Sequence, residues 1–191
     1  RPVLINNWEA TYFKFTEDKL INLAKESANL GIELFVLDDG WFGLRNDDTT
    51  SLGDWTVNPK KLPSGLENLS LEVHRLGMMF GLWVEPEMVS MESQLYKKHP
   101  DWMIAIPGRR PSVGRNQYIL DLSRPDVRDY LFKQLSDVWH FANVNYIKWD
   151  MNRVFSDLYS ANRAIKDHGE FFHRYILGLY ELLEKLTAAF P

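Results

Sequence analysis

The residues best suited to chemistry lie in the run Tyr146 to Asn152, which reads Tyr-Ile-Lys-Trp-Asp-Met-Asn. The part from Asn145 to Trp149 is β-branched and aromatic, as expected of a buried strand, and a carboxylate follows it. Because side chains alternate along a strand, Lys148 and Asp150 are expected to be neighbours on one face. An ammonium there favours the ionised carboxylate, which suits a nucleophile or an electrostatic stabiliser. A salt bridge with only a structural role is the alternative.

Further acidic side chains follow other apolar runs, Asp38 and Asp39 after one and Glu85 after the next. Carboxylates with no His or Cys beside them suit either a hard-cation site or glycosyl transfer. A cation bound at Asp150 would be repelled by Lys148, so the sequence favours glycosyl transfer. We therefore predict neither a metal nor a cofactor.

Two Trp residues and one Arg are candidates for contact with a sugar. Trp8 and Trp83 stand at predicted strand ends, where an indole face can pack on a sugar ring, although Trp is also an ordinary core residue. Arg115 lies in a polar loop, where it can bind a hydroxyl-rich ligand or simply be solvated. One of the pair Asp38 and Asp39 can likewise cap a helix instead of facing a pocket.

Composition narrows the class of protein. The 191 residues carry a net charge of -4 and no long Lys/Arg run, which argues against nucleic-acid and membrane-surface binding. The absence of Cys excludes disulfides and Cys-ligated metals in this segment. There is no initiator Met, no signal-peptide pattern and no run that spans a bilayer. We predict that residues 1–191 are part of one catalytic domain of a larger protein, with a cytoplasmic location.

The elements that must position these residues alternate between strands and helices. Apolar strands are predicted at 2–6, 33–37, 78–84 and 145–149, and helices at 17–29, 65–76, 125–141 and 168–189. This order predicts an α/β protein with a parallel sheet. The chemistry-bearing residues follow the strands, and no Gly-rich phosphate turn is present, so a (β/α)₈ TIM barrel is favoured over a doubly wound sheet.

The length fits about the first four strand-helix units of such a barrel, with a hairpin-like excursion at 107–115 between the apolar runs 102–106 and 118–120. The last helix is expected to bury one apolar face, made of Phe172, Ile176, Leu179, Leu183 and Leu186.

Five motifs together resemble glycoside hydrolase family 36, the α-galactosidases of clan D. They read Asn-Trp-Glu-Ala at 7–10, Leu-Asp-Asp-Gly-Trp-Phe at 37–42, Leu-Gly-Asp-Trp at 52–55, Gly-Leu-Trp-Val-Glu-Pro-Glu at 81–87 and Tyr-Ile-Lys-Trp-Asp-Met-Asn at 146–152. The resemblance implies that Asp150 is the catalytic nucleophile. It implies binding of galactose by a further set of side chains, namely Trp8, Asp38, Asp39, Trp83, Arg115, Lys148 and Asn152.

The reaction implied by the resemblance is retaining hydrolysis of terminal α-galactosides such as melibiose or raffinose, through a covalent galactosyl-enzyme on Asp150. The family's acid/base Asp lies beyond Pro191, so the segment alone is expected to be inactive. The full-length protein is expected to be a homo-oligomer. A galactosyltransferase of the raffinose-synthase type, an α-N-acetylgalactosaminidase and a non-catalytic sugar-binding fragment remain as alternatives.

Overall fold

The computed structural model describes the whole chain, residues 1–191. The strands are β1 Leu4–Asn6, β2 Leu34–Leu37, β3 Met79–Val84, β4 Met88–Val89, β5 Tyr118–Ile119 and β6 Tyr146–Trp149. The α-helices are α1 Trp8–Thr11, α2 Glu17–Asn29, α3 Gly65–Arg75, α4 Gln94–Lys98, α5 Pro125–Phe141 and α6 Phe171–Ala189. Two 3₁₀ turns occupy Pro100–Trp102 and Ile165–Glu170. No helix combines the length and the apolar character that crossing a membrane requires.

The chain folds into two compact units. The first contains residues 1–47, 55–85 and 138–150, and it is built on a four-stranded sheet in the order β1-β2-β3-β6. All three pairings are parallel, which confirms the predicted parallel α/β sheet. The central strand β2 is buried throughout, whereas the edge strands β1 and β6 are partly exposed.

Helices α2 and α3 of the first unit lie within one residue of their predicted bounds. The Thr16 hydroxyl accepts the Lys19 N–H at the start of α2, as an N-cap should. Ser64 provides no such cap for α3. Its backbone N–H instead donates to the buried carboxylate of Glu17 at 2.9 Å, which ties the starts of the two helices together. Both helices are followed by a glycine with φ of +81°, the first at Gly31.

The second unit contains residues 48–54, 86–137 and 151–191. Its two-stranded antiparallel sheet pairs β4 with β5, and the apolar run at 102–106 contributes a single bridge between Met103 and Leu120. The sequence analysis missed β4 because two residues are too few to show a period. Helix α5 has the predicted bounds, although its residues after Asp137 belong to the first unit.

Helix α6 buries a face that is rotated from the predicted one and shares Leu186 with it. The prediction counted Leu, Ile and Phe at helical spacing, but Phe172 is 46% exposed and the buried stripe is Phe171, Tyr175, Gly178, Leu182 and Leu186. Two contacts explain the rotation. The Tyr175 hydroxyl donates to Glu87 at 2.6 Å, and Gly178 lies so close to the Leu122 carbonyl that a Cβ would stand 2.0 Å from its oxygen.

Candidate active site

Asp150 lies immediately after β6, at the carboxyl end of that strand. Its backbone N–H donates to the Val84 carbonyl at 2.8 Å, which continues the parallel pairing one residue beyond Trp149. Its side-chain Oδ2 accepts the indole N–H of Trp83 at 3.0 Å. The residue is half-buried. The carboxylate is thus oriented through one oxygen by a neutral donor on the adjacent strand.

Trp83 belongs to a buried aromatic cluster. Its ring is 2% exposed and stacks parallel to Phe42, with centroids 6.2 Å apart and planes at 9°. Trp41 donates its indole N–H to the Trp83 carbonyl at 2.9 Å. Trp55 packs in the same cluster, and its buried indole N–H has no hydrogen-bond partner. Trp83 is therefore largely a core residue whose one polar atom reaches Asp150.

Lys148 forms an ion pair with Asp38, a partner that the sequence analysis did not name. Its Nζ lies 2.8 Å from Oδ2 of Asp38, and the pair combines a 41% exposed Lys side chain with a 4% exposed Asp side chain. The sequence analysis named Asp150 as the neighbour of Lys148 and did not foresee the bond to Asp38. The reason is the sheet order: β3 separates β2 from β6, and two strand spacings of about 4.8 Å lie within the combined reach of a Lys and an Asp.

Asp38 is held by the strand that precedes it in the sheet as well. Its Oδ2 also accepts from the Asn6 amide at 2.6 Å, and its backbone N–H donates to Oδ1 of the buried Asn7 at 2.7 Å. Asp38 therefore faces the same surroundings as Lys148. The sequence analysis gave Asn6 and Asn7 no role, although they stand at the end of β1 as Asp38 stands at the end of β2.

Asp39 serves a separate, buried ion pair. Arg45 contacts it with two nitrogens, Nε at 3.0 Å from Oδ1 and Nη2 at 2.8 Å from Oδ2. Burial raises the pKa of Asp39, against the hydrogen bond and the charge of Arg45. Neither Asp38 nor Asp39 caps a helix. Asp38 pairs with the half-exposed Lys148, and Asp39 pairs with the buried Arg45.

Lys61 stabilises the turn that follows Asp39. Its ammonium donates to the carbonyls of Gly40 at 2.9 Å and Arg45 at 2.7 Å, and it lies 4.6 Å from the Phe15 ring centroid. Burial lowers the pKa of Lys61 to about 8. Neither Arg45 nor Lys61 was singled out from the sequence. The only signal available was the length of the polar loop from 43 to 63 that contains them.

Trp8 lies at the start of α1 in the first unit and is half-buried. Its backbone N–H donates to Asn6 Oδ1 at 2.8 Å. Its ring meets Tyr12 and Phe13 edge to face, with centroids 5.2 and 5.1 Å away. Local packing therefore fixes the indole, with part of its surface left accessible.

The two remaining predicted residues lie in the second unit and are bonded to each other. Nη1 of Arg115 donates to Oδ1 of Asn152 at 2.5 Å. Arg115 is exposed, and Asn152 is half-buried.

Five of the predicted residues lie in the first unit at or next to the carboxyl ends of the neighbouring strands β2, β3 and β6. They are Asp38, Asp39, Trp83, Lys148 and Asp150. A carboxylate held at this position can act as a nucleophile towards an electrophilic carbon. The neighbouring ammonium and carboxylate supply a donor and an acceptor for hydroxyl groups.

Comparison with known proteins agrees over the whole chain. The family model described as Melibiase matches residues 1–191. The α-galactosidase Mel36A of Lactobacillus acidophilus is 54% identical over 191 residues, which cover 100% of this chain and 26% of that relative. The crystal structure of the α-galactosidase AgaA from Geobacillus stearothermophilus superposes with a TM-score of 0.98 at 55% identity, covering 100% of this chain and 27% of that one.

A crystal structure of the α-galactosidase from Lactobacillus brevis gives a TM-score of 0.99 at 56% identity, over 100% of this chain and 26% of that chain. The chain thus spans about a quarter of the length of the relatives it matches. A match of the family model from the first residue to the last, at such identities, shows that this chain belongs to the Melibiase family.

Proposed function

We propose that this chain supplies the nucleophile and part of the sugar-binding site of a retaining α-galactosidase, which hydrolyses terminal non-reducing α-D-galactosyl residues. Relatives in the family are named α-galactosidases. Crystal structures of variants of AgaA are described as complexes with raffinose and with stachyose. Oligosaccharides of this type are the substrates we expect for the full-length protein.

The observation that supports the proposal most directly is the setting of Asp150. The carboxylate follows a strand of a parallel sheet, and one of its oxygens is held by the Trp83 indole at 3.0 Å. Attack on an anomeric carbon requires a carboxylate in the correct orientation. A carboxylate that is already fixed in that orientation avoids the entropic cost of reaching it. The adjoining Lys148 and Asp38 pair offers a donor and an acceptor to sugar hydroxyls.

In the reaction we propose, an Asp150 oxygen forms a bond to the anomeric carbon as the bond to the leaving-group oxygen breaks. A second carboxylic acid protonates that oxygen, and it must lie about 5–5.5 Å from the first for retention. Water then attacks the galactosyl ester, giving up its proton to the second carboxylate and regenerating Asp150. We expect the second carboxyl beyond residue 191, so the segment alone should bind sugar without hydrolysing it.

The remaining roles follow the resemblance. Asp38 and Asp39 are proposed to serve the galactose hydroxyls distant from the anomeric carbon, with Asp39 acting from its pair with Arg45. Arg115 and Lys148 are proposed as donors to hydroxyls, and Asn152 as a ligand near the reacting centre. Trp8 and Trp83 are proposed to line the sugar site, Trp83 chiefly through its bond to Asp150.

The architecture we propose for the full-length protein is a (β/α)₈ barrel whose first four strand-helix units lie in this chain. Residues 1–191 would then be part of one catalytic domain in a larger protein. A homo-oligomeric state and a cytoplasmic location remain predictions from the sequence.

The test is to trap the intermediate. The full-length protein is incubated with an activated fluoro-galactoside of α configuration, digested and searched for a labelled peptide by mass spectrometry. We expect the adduct on Asp150. Asp150→Asn should abolish labelling and lower kcat by about 10⁴-fold or more, whereas Asp137→Asn, an exposed helix position, should behave like the wild type.

Stereochemistry gives a second, independent readout. The first-formed product of p-nitrophenyl α-galactoside hydrolysis should be α-galactose by NMR. A β anomer would refute the double displacement, and an adduct on Glu85 or Asp39 would refute the choice of nucleophile.

A further inference from the structure

The turn that carries Arg115 has an unusual backbone. Gly114 and Gln117 exchange backbone hydrogen bonds, and the N–H of Gln117 donates to the Gly114 carbonyl at 3.1 Å. The two residues between them both have positive φ, +52° at Arg115 and +58° at Asn116. Turns of this kind favour Gly, Asn and Asp at both positions. An Arg in the left-handed region is disfavoured and persists only when its surroundings hold it there.

The Arg153 side chain packs against this turn and donates a hydrogen bond to it. Its Nη1 donates to the Gln117 carbonyl at 3.0 Å, and its guanidinium lies 5.9 Å from the Tyr118 ring centroid. Its aliphatic stem fills the space at Gly114, where an added Cβ would meet Arg153 Cγ at 3.4 Å. Its Nη2 is anchored in turn on the Ser156 hydroxyl at 3.0 Å.

The same turn is also held from its other central residue. The Asn116 amide donates to Asp48 Oδ1 at 3.1 Å. Asn116 and Gln117 are thus each bound by another side chain. Arg115, the first central residue of the turn, donates from Nη1 to Asn152 Oδ1 at 2.5 Å. Arg153 follows Asn152 directly in the chain. The same short segment therefore carries the Asn152 amide, which accepts from Arg115, and the Arg153 side chain, which holds the turn that contains Arg115.

We propose that Arg153 is a positioning residue for substrate binding, which fixes the 114–117 turn so that the Arg115 guanidinium is presented beside Asn152. This inference rests on the proposed function, since it assigns Arg115 and Asn152 to the sugar. Arg153 itself contacts no substrate; its effect reaches the sugar only through Arg115. Both ends of its planar guanidinium are used at once, which a lysine ammonium cannot reproduce.

The kinetic test uses the full-length protein and p-nitrophenyl α-galactoside. Arg153→Met should raise KM by about tenfold, the effect of losing one charged hydrogen bond, with kcat changed much less. Arg110→Met is the matched control, because this exposed arginine lies in the same excursion but outside the 114–117 turn, and its KM should stay within about twofold of the wild type. Arg153→Lys should fall between the two.

The decisive measurement is the double variant. If Arg153 acts through Arg115, then Arg115→Met/Arg153→Met should be no worse than Arg115→Met alone, because the residue being positioned is already gone. Two effects that multiply would overturn the proposal, and so would an unchanged KM in Arg153→Met.

Hydrogen exchange provides a readout that needs no substrate. The amides of the 114–118 segment should exchange faster in Arg153→Met than in Arg110→Met, while α5 stays protected in both; equal exchange would refute the bracing of the turn. Failure of the proposed function is distinguishable, because the wild type would then not turn over the α-galactoside at all. That result would remove the substrate-binding role of Arg153 together with the function on which it rests.

Discussion

The indole N–H of Trp83 offers the sharpest test of how Asp150 is held. Trp83→Phe keeps an aromatic ring against Phe42 but removes the 3.0 Å bond to Asp150 Oδ2. Hydrogen bonds to charged groups contribute about 1.5–3 kcal/mol. If all of that energy serves to orient the attacking oxygen, its loss lowers kcat by about 10- to 150-fold. Because Asp150 is half-buried and water can replace the donor, we expect the lower part of that range.

The same cluster supplies a matched control in Trp55→Phe. Trp55 is 1% exposed and packs near Trp83, with ring centroids 6.4 Å apart, but its indole N–H has no hydrogen-bond partner. Both variants lose a similar volume from the core, so both pay a cavity cost. In Trp55→Phe that cost is offset by removal of an unsatisfied donor, which is itself unfavourable by about 1–3 kcal/mol.

The assay is steady-state hydrolysis of p-nitrophenyl α-galactoside by the full-length protein, with the melting temperature measured in parallel. We expect a marked loss of kcat in Trp83→Phe, little change in Trp55→Phe, and a lower melting temperature for the former. Equal losses of kcat in the two variants would show that the cluster acts only by packing and that the bond to Asp150 does not matter.

Two further predictions concern stability. Lys61 has a pKa lowered by burial from 10.5 to about 8, so between these values the unfolded chain binds more protons than the native one and the free energy of unfolding rises with pH. The melting temperature of the wild type relative to Lys61→Met should therefore be constant below pH 8 and increase towards pH 10.5; a difference that does not change with pH would contradict the lowered pKa. Gly178→Ala places a Cβ 2.0 Å from the Leu122 carbonyl oxygen and should lower the melting temperature sharply, whereas Gly169→Ala, with no atom within 4 Å, should not. Equal melting temperatures for these two glycine variants would mean that α6 can move away from Leu122 at little cost.

The strand-helix order and the place of the polar residues could be predicted because they depend on local patterns. Apolar runs marked all four strands of the parallel sheet, and Asp38 and Asp150 were expected directly after two of them. Caps gave the bounds of α2, whose Thr16 accepts the Lys19 N–H as anticipated. These signals lie within a few residues of the structure they specify.

The partners of the charged groups could not be predicted in this way. Alternation along β6 predicts that Lys148 lies near Asp150, but it cannot reveal the ion pair with Asp38, which depends on the order of strands across the sheet. The Arg45 bond to Asp39 depends on the path of a long loop, which no periodicity describes. The buried face of α6 was missed for a related reason: Gly178 and Tyr175 are buried through contacts with distant backbone and with Glu87, and hydrophobicity does not mark either.

The ion pair between Asp38 and Lys148 joins residues 110 positions apart in the chain. On a ribosome that adds about 5–20 residues per second, Asp38 is made roughly 6–20 s before its partner exists. During that interval Asp38, which follows β2, lacks its ion-pair partner, because the strand that carries Lys148 has not yet been synthesised. A nascent chain in which Lys148 has not yet left the exit tunnel should therefore leave the first unit open to proteases. Codon changes that slow synthesis between residues 38 and 148 should lengthen that exposure and lower the yield of folded protein.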